Sequence, residues 1–255
     1  MSFFNQFPTI NYDINKNKTT HEATKILNRV KLRGDISKHI PIYYKTSLVT
    51  SERPDILAYL EYSDSYLHWV LMIMNSVIDP YYDWVIDENV LESIIDLKYP
   101  NSTIILKTDH FDDDNGYNTE GSTQFFIPND VISSGSKTGT VVEFNSTLKQ
   151  LTYVTGDGTF VNNDVITGSL SGAIGKLKVS GGNVLEKYAP HHYENSAGVE
   201  VHRDYSRGGV ADSTAVSNYT YEQLENEKKR NVSVLNSSYL DEFKNNFSEL
   251  IRARK

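Results

Sequence analysis

Residues 53–100 constrain the fold of this chain more than any other stretch. RPDILAYLEYSDSYLHWVLMIMN leads through an aromatic turn into VIDENVLESIIDLKYP. Leu67, Trp69, Val70, Leu71, Met72, Ile73 and Met74 are apolar on every side of a helix, so that helix has to be buried. The spacing predicts it over 65–75, with Leu67, Trp69, Val70, Leu71 and Met74 as core. Asn75 tolerates the left-handed conformation of a helix end. Asp79-Pro80 then forces a turn that carries Tyr81, Tyr82 and Trp84. A segment so aromatic and so poor in reactive groups reads as a packing and docking unit. Asp79, Tyr81, Tyr82 and Trp84 also suit a sugar-stacking platform, although covering the buried helix is the preferred reading.

The flanks supply regular elements. IPIYYKTSLV (40–49) reads as a strand. Pro54 fits the first residue of a helix, where a missing N–H costs nothing, and Ile56, Leu57 and Leu60 form its apolar stripe. A third helix is expected over 88–98, with Val90, Leu91, Ile94 and Leu97 inward. Near the C-terminus, Thr220 and Gln223 form a capping box for a helix over 221–230. A strand at Val232–Leu235 follows, then a final helix with Leu240, Phe243, Phe247, Leu250 and Ile251 on one face. The N-terminus opens with an aromatic arm (Phe3, Phe4, Phe7, Tyr12) and a short helix near 20–31. Exposed aromatics at a terminus must pack on the rest of the chain or on a neighbour, and neither tail shows an obvious partner within the chain. The interface candidates are Phe3, Phe4, Phe7, Tyr12, Tyr81, Tyr82, Trp84, Phe243 and Phe247.

Residues 121–187 change character. Short β-prone runs (Val141 to Phe144, Leu151 to Val154, Val165-Ile166, Ile174 to Val179) alternate with turn chemistry such as Gly156-Asp157-Gly158. They read as a small inserted all-β domain of four or five strands, a sandwich or barrel. Residues 188–216 read as an irregular connection. The expected division is 1–39 as arm and helix, 40–120 as core with the third helix, 121–187 as insert, and 188–255 as connection and C-terminal helices.

Several chemistries fall away. A net charge of −8 argues against a general nucleic-acid binder. With no cysteine there is no disulfide, thiolate metal site or cysteine nucleophile, which fits assembly in a reducing cytoplasm. No signal peptide is read at the N-terminus, and no run reaches the roughly 18 apolar residues of a membrane helix. The acidic stretch 109–122 has the wrong residues for a calcium loop. Ser136-Lys137-Thr138 lacks the glycines of a phosphate loop. His191-His192 beside Glu194 lacks a third ligand at a recognisable spacing, and adjacent histidines in a strand point apart. His68 is expected as a hydrogen-bonded core histidine. Neither a nucleophile elbow nor HExxH occurs, and no catalytic residue, metal or cofactor is assigned.

Residues 53–84, with RPDILAYLEYSDSYLHWVLMIMN and DPYYDWV, resemble the baseplate wedge protein 53 family of T4-like contractile-tailed bacteriophages. YEQLENEKKR (221–230), the Val-Ser-Val-Leu strand and the amphipathic tail helix resemble that family's C-terminus. The resemblance covers roughly 1–110 and 215–255. It implies an α+β fold with a LysM-like βααβ core, an N-terminal arm and C-terminal helices, to which 121–187 is an added β-domain. It also implies a non-enzymatic virion subunit, assembled in the host cytoplasm, that clamps neighbouring wedges around the hub. The implied partners are the large ring-forming wedge subunit, the sheath-initiating subunit, and hub or tube proteins. The competing reading is a LysM-type peptidoglycan-binding module.

Overall fold

The computed structural model describes residues 3–13, 16, 19–28, 30, 42–49, 51–106, 125–177, 181–201 and 213–253. The chain divides into two compact units, Met1–Asp87 with Glu225–Lys255, and Glu88–Leu224.

The first unit begins with a 3-10 turn, Phe3–Gln6, and a hairpin of β1 (Thr9–Tyr12) and β2 (His21–Thr24), paired antiparallel. The helix expected near 20–31 is therefore replaced by a strand over His21–Thr24. Pairing with β1 outweighs the weak helical pattern there. After β3 (Tyr43–Ser47), helix α1 (Pro54–Tyr62) starts with proline in its first turn and ends at Ser63 in the left-handed conformation. The predicted helix over 65–75 is split into a 3-10 turn, Ser65–Leu67, and α2 (His68–Met74). Asp64 caps the 3-10 turn by accepting from Tyr66 N–H at 2.9 Å. Asn75 has φ −100°, and the left-handed residue is Ser76.

The second unit starts with α3 (Glu88–Lys98), which buries Leu91 and Ile95. Val90 and Leu97, expected inward, are exposed. The i, i+4 pair centres the inward stripe on one turn face, leaving positions 90 and 97 beyond its edges. The strands are β4 (Ser102–Ile105), β5 (Val131–Ser134), β6 (Lys137–Asn145), β7 (Gln150–Thr155), β8 (Val165–Gly168), β9 (Ile174–Lys176) and β10 (Asn183–Leu185). They form one antiparallel sheet in the order β10-β4-β7-β6-β5-β8-β9. A bridge between Leu106 and Leu177 joins the ends of β4 and β9. The sheet thus curls round one core that includes Ile104, Ile132, Leu151, Tyr153, Phe160 and Ile166. Its membership extends beyond 121–187, because β4 is recruited from Ser102–Ile105. Asp130 is fully buried and fixes the 169–171 turn beside this core. Its carboxylate accepts from Leu170 N–H (2.8 Å), Ser171 N–H (3.1 Å), Ser169 Oγ (3.1 Å) and Ser171 Oγ (2.5 Å).

The segment expected to be irregular holds a three-stranded sheet of β11 (Pro190–Glu194), β12 (Glu200–Val201) and β13 (Thr214–Ser217), in the order β12-β11-β13. Helix α4 (Asn218–Lys228) begins three residues earlier than expected. Ser217 Oγ accepts from Thr220 N–H at 3.1 Å, displacing the predicted cap at Thr220.

The chain returns to the first unit through β14 (Asn231–Leu235) and α5 (Leu240–Ala253). β14 pairs antiparallel with β3, from Asn231 opposite Ser47 to Leu235 opposite Tyr43. A strand, two helices and a closing strand therefore do assemble, but the closing strand comes from residues 231–235, far outside 40–120. Helix α2 lies between two apolar clusters. Leu71 joins Leu48, Leu57, Trp84, Val85, Val232 and Val234. Leu67, Trp69 and Val70 join Phe7, Leu235, Phe247 and Ile251.

Candidate docking surfaces

The terminal aromatics find partners inside the first unit. Phe247 of α5 lies 4.7 Å, ring centroid to centroid, from Trp69 and 5.5 Å from Phe3. Phe7 stands 5.0 Å from Phe3, and Phe243 lies 6.0 Å from Trp69. Polar contacts fasten the same seam. Ser248 Oγ donates to buried Gln6 Oε1 at 2.8 Å, and Asn28 Nδ2 donates to the Ile251 carbonyl at 3.1 Å. The expectation that both tails lack an internal partner is thus corrected. α2 offers an aromatic face that neither tail could display in sequence, and the two tails cover it together. Phe7 and Phe247 are buried, and Phe3 and Phe243 are half-buried. Of the arm's four aromatics, Phe4 and Tyr12 are exposed. Leu250, placed on the inward face of the tail helix, is exposed as well.

The turn after α2 separates its aromatics. Trp84 is buried, and its indole N–H donates to the Glu52 carbonyl at 2.7 Å. Tyr81 is 80% exposed and Tyr82 is exposed too. A stacking platform of all three rings therefore does not form, because packing takes Trp84 into the core. The turn itself is tightly tied. Asp83 Oδ2 accepts from the N–H groups of Ile78 and Asp79, each at 2.9 Å, and Asp79 Oδ1 accepts from Tyr81 N–H at 2.9 Å. The Asp79 and Ile78 N–H groups hold the Asp83 carboxyl below its usual range. Lys229 Nζ donates to the Tyr82 carbonyl. A cleft of about 260 Å³ beside the turn is lined by residues that include Asp83, Trp84, Lys228 and Lys229.

Among the core assignments, Leu67, Trp69, Val70 and Leu71 are buried and Met74 is half-buried against the aromatic cluster. His68 is half-buried. Its Nδ1 lies 2.9 Å from the Ser65 carbonyl, at the start of the helix instead of in the core. Sequence reasoning missed two amides that act as pieces of backbone. Asn75 pairs with Ser233, accepting from its N–H at 2.7 Å and donating to its carbonyl at 2.9 Å. Buried Asn226 does the same to Ile86, at 2.9 Å each way. Each satisfies backbone groups that strand pairing leaves over, on β14 beside its pairing with β3 and at Ile86 outside the described strands. Only the tertiary pairing reveals them, since an asparagine near a helix end signals a cap. The outward face of α1 was missed too: Ile56, Tyr59 and Leu60 are exposed while Leu57 and Ala58 are buried.

In the second unit, a register shift between Pro190 and His192 turns the two histidines together. Their Nδ1 atoms lie 2.9 Å apart, and His192 Nε2 lies 3.0 Å from Glu194 Oε1. The expectation that they point apart is corrected by this bulge, which breaks the strand alternation. His191 stacks flat on Tyr221 at 3.8 Å. Among the described residues no group of three or more histidine, aspartate or glutamate side chains is placed to hold a metal. Ser136-Lys137-Thr138 lies at a hairpin, where Lys137 pairs with Asp164 at 2.6 Å. The acidic stretch 109–122 lies outside the described residues. No helix among the described residues is long and apolar enough to cross a membrane.

Residues 1–119 match the family model for base plate wedge protein 53. The chain is also similar to the baseplate wedge protein gp53 of Enterobacteria phage T4, with 30% identity over 103 residues. That alignment covers 39% of this chain and 51% of the T4 protein, so the chain spans about half the length of the curated relative it matches.

Proposed function

We propose that this chain is a structural subunit of a phage tail baseplate wedge, where it joins neighbouring wedges around the hub during tail assembly. The observation that carries this reading is the match of residues 1–119 to the base plate wedge protein 53 family. The geometry of the matched part supports it. Two tyrosines stand exposed on a turn whose backbone is tied by two aspartates, and α1 shows an apolar outer face. Ordered surface aromatics bind polypeptides at low entropic cost, because little side-chain freedom remains to be lost. The succession β3, α1, α2, β14 supports a LysM-like core serving as a protein clamp, with the unit at 88–224 inserted before its closing strand. Its partners on this reading are the large ring-forming wedge subunit, the sheath-initiating subunit, and hub or tube proteins. The chain performs no catalysis in that role and resides in the virion's tail end.

Wedge assembly from purified components, with and without this chain, tests the proposal. Wedges are expected to close into a complete ring only when it is present. Ring closure at the same rate and yield without it refutes the reading. A LysM-type peptidoglycan module remains the second reading, favoured by the same strand–helix–helix–strand order and by exposed Tyr81 and Tyr82. Retention of the purified chain on isolated cell walls would select it.

A further inference from the structure

We infer that the outer face of α1 is a docking site for a neighbouring polypeptide segment that is both apolar and rich in lysine or arginine. The inference rests on the baseplate reading and names the chemistry of one partner. Ile56, Tyr59 and Leu60 recur at i, i+3 and i+4, which places them on one helix face. All three are exposed, with Leu60 at 66%, and Tyr66 in the next turn is exposed too. Single exposed apolar residues are ordinary, but several together on one short face mark an interaction surface.

Charge decides what covers it. Between residues 52 and 66 stand four carboxylates, Glu52, Asp55, Glu61 and Asp64, against one cation, Arg53. That cation is already engaged: Arg53 Nε and Nη2 donate to Asp55 at 3.1 and 3.0 Å. Glu61 accepts from the Tyr44 hydroxyl, and Asp64 from Tyr66 N–H, so two carboxylates are fixed in the same stretch of chain as the apolar face. An apolar stripe in so acidic a stretch repels a phosphate backbone and an anionic lipid surface, and it fits a segment that sets cations beside its apolar side chains. The tyrosines there bury area while their hydroxyls stay in water, the usual composition of a protein interface.

The test uses the full chain and two amphipathic helical peptides of equal length and equal leucine content, one with lysine and one with glutamate on its polar face. The lysine peptide is expected to bind about tenfold or more tightly than the glutamate peptide, and to weaken as salt is added. The double variant Tyr59→Ser, Leu60→Ser should lose that binding at least about tenfold with its circular dichroism spectrum unchanged, since both residues are exposed. Tyr81→Ser should leave it intact. Equal binding of the two peptides, no binding, or full binding by the double variant overturns the assignment. In the wedge-assembly assay the double variant should fail to close rings, and closure as efficient as wild type overturns the assignment while leaving the baseplate role standing. If closure never needs the chain, the baseplate role falls and the peptide titration alone decides α1.

Discussion

Truncation of Phe247 to alanine separates a tail folded on its own chain from one held ready for a neighbour. Phe247 is 3% exposed and packs within 4.7 Å of Trp69, 5.5 Å of Phe3 and 6.4 Å of Phe7, centroid to centroid. Removing a buried phenylalanine side chain costs about 3–5 kcal/mol through lost burial and the cavity left behind. Three ring contacts are lost with it, each worth about 0.5–1.5 kcal/mol beyond area in favourable geometry, so the upper part of that range applies, about 4–5 kcal/mol. Leu250→Ala is the control. It sits three residues later on the same helix but is 56% exposed, and a surface substitution there should cost about 0.5 kcal/mol or less. Urea unfolding followed by tryptophan fluorescence gives a clean readout, because both tryptophans of the chain, Trp69 and Trp84, lie in the first unit. A loss below about 1 kcal/mol for Phe247→Ala, or equal losses for the two variants, would refute internal packing of the tail.

Other consequences are as direct. Burial pushes the Asp130 carboxyl up, but bonds from Ser171, Leu170 and Ser169 prevail and its pKa is lowered from 3.8. Its contribution is therefore fully present above 3.8 and is lost as pH falls through the lower folded value. Asp130→Ala should cost about 2–4 kcal/mol at neutral pH, and the gap to wild type, followed by tyrosine circular dichroism, should narrow below that point. For His191, partial desolvation and the neighbouring His192 lower the pKa from 6.5, with Lys98 acting in the same direction and Glu200 and Glu222 opposing. The second unit should lose stability as pH falls from 6.5 towards the folded value, and His191→Gln should remove that sensitivity, as read by hydrogen exchange. Asn75→Ala removes the partners of Ser233 N–H and C=O and should cost about 1–3 kcal/mol in the same tryptophan-detected unfolding. Gly168→Ala should disturb the second unit, because a Cβ there would sit 2.3 Å from Asp130 Oδ2. Unchanged protection of the 165–171 backbone in hydrogen exchange would show that packing to be loose.

Element type was legible wherever local pattern and tertiary burial agreed. Pro54 opening α1, the buried α2, the amphipathic α5 and the β-prone runs at 141–144, 151–154, 165–166 and 174–176 all carry signals within a few residues of themselves. Legibility failed where a distant partner decided the outcome. His21–Thr24 is a strand because Thr9–Tyr12 lies beside it. Val90 and Leu97 are exposed because Leu91 and Ile95 define the buried stripe. The histidines meet because of a bulge whose register is set by β13. The candidate surfaces follow the same division. Tyr81 and Tyr82 announce themselves in a turn, whereas Trp84 beside them is drawn inside by Glu52 and the core around Leu71.

By itself, the order of residues determined that this chain buries an all-apolar helix, carries a β-rich stretch, and holds no cysteine-based chemistry, since hydrophobic period, turn chemistry and composition are local properties. Only the tertiary structure decided that Phe3, Phe7, Phe243 and Phe247 close over Trp69 within one chain. It alone decided that the strand pairing with Tyr43–Ser47 comes from Asn231–Leu235, which follow the second unit in sequence. Strand pairing and ring packing join residues separated by about 190 to 240 positions, and the free energy of such contacts depends on which surfaces meet, which no short window of sequence encodes.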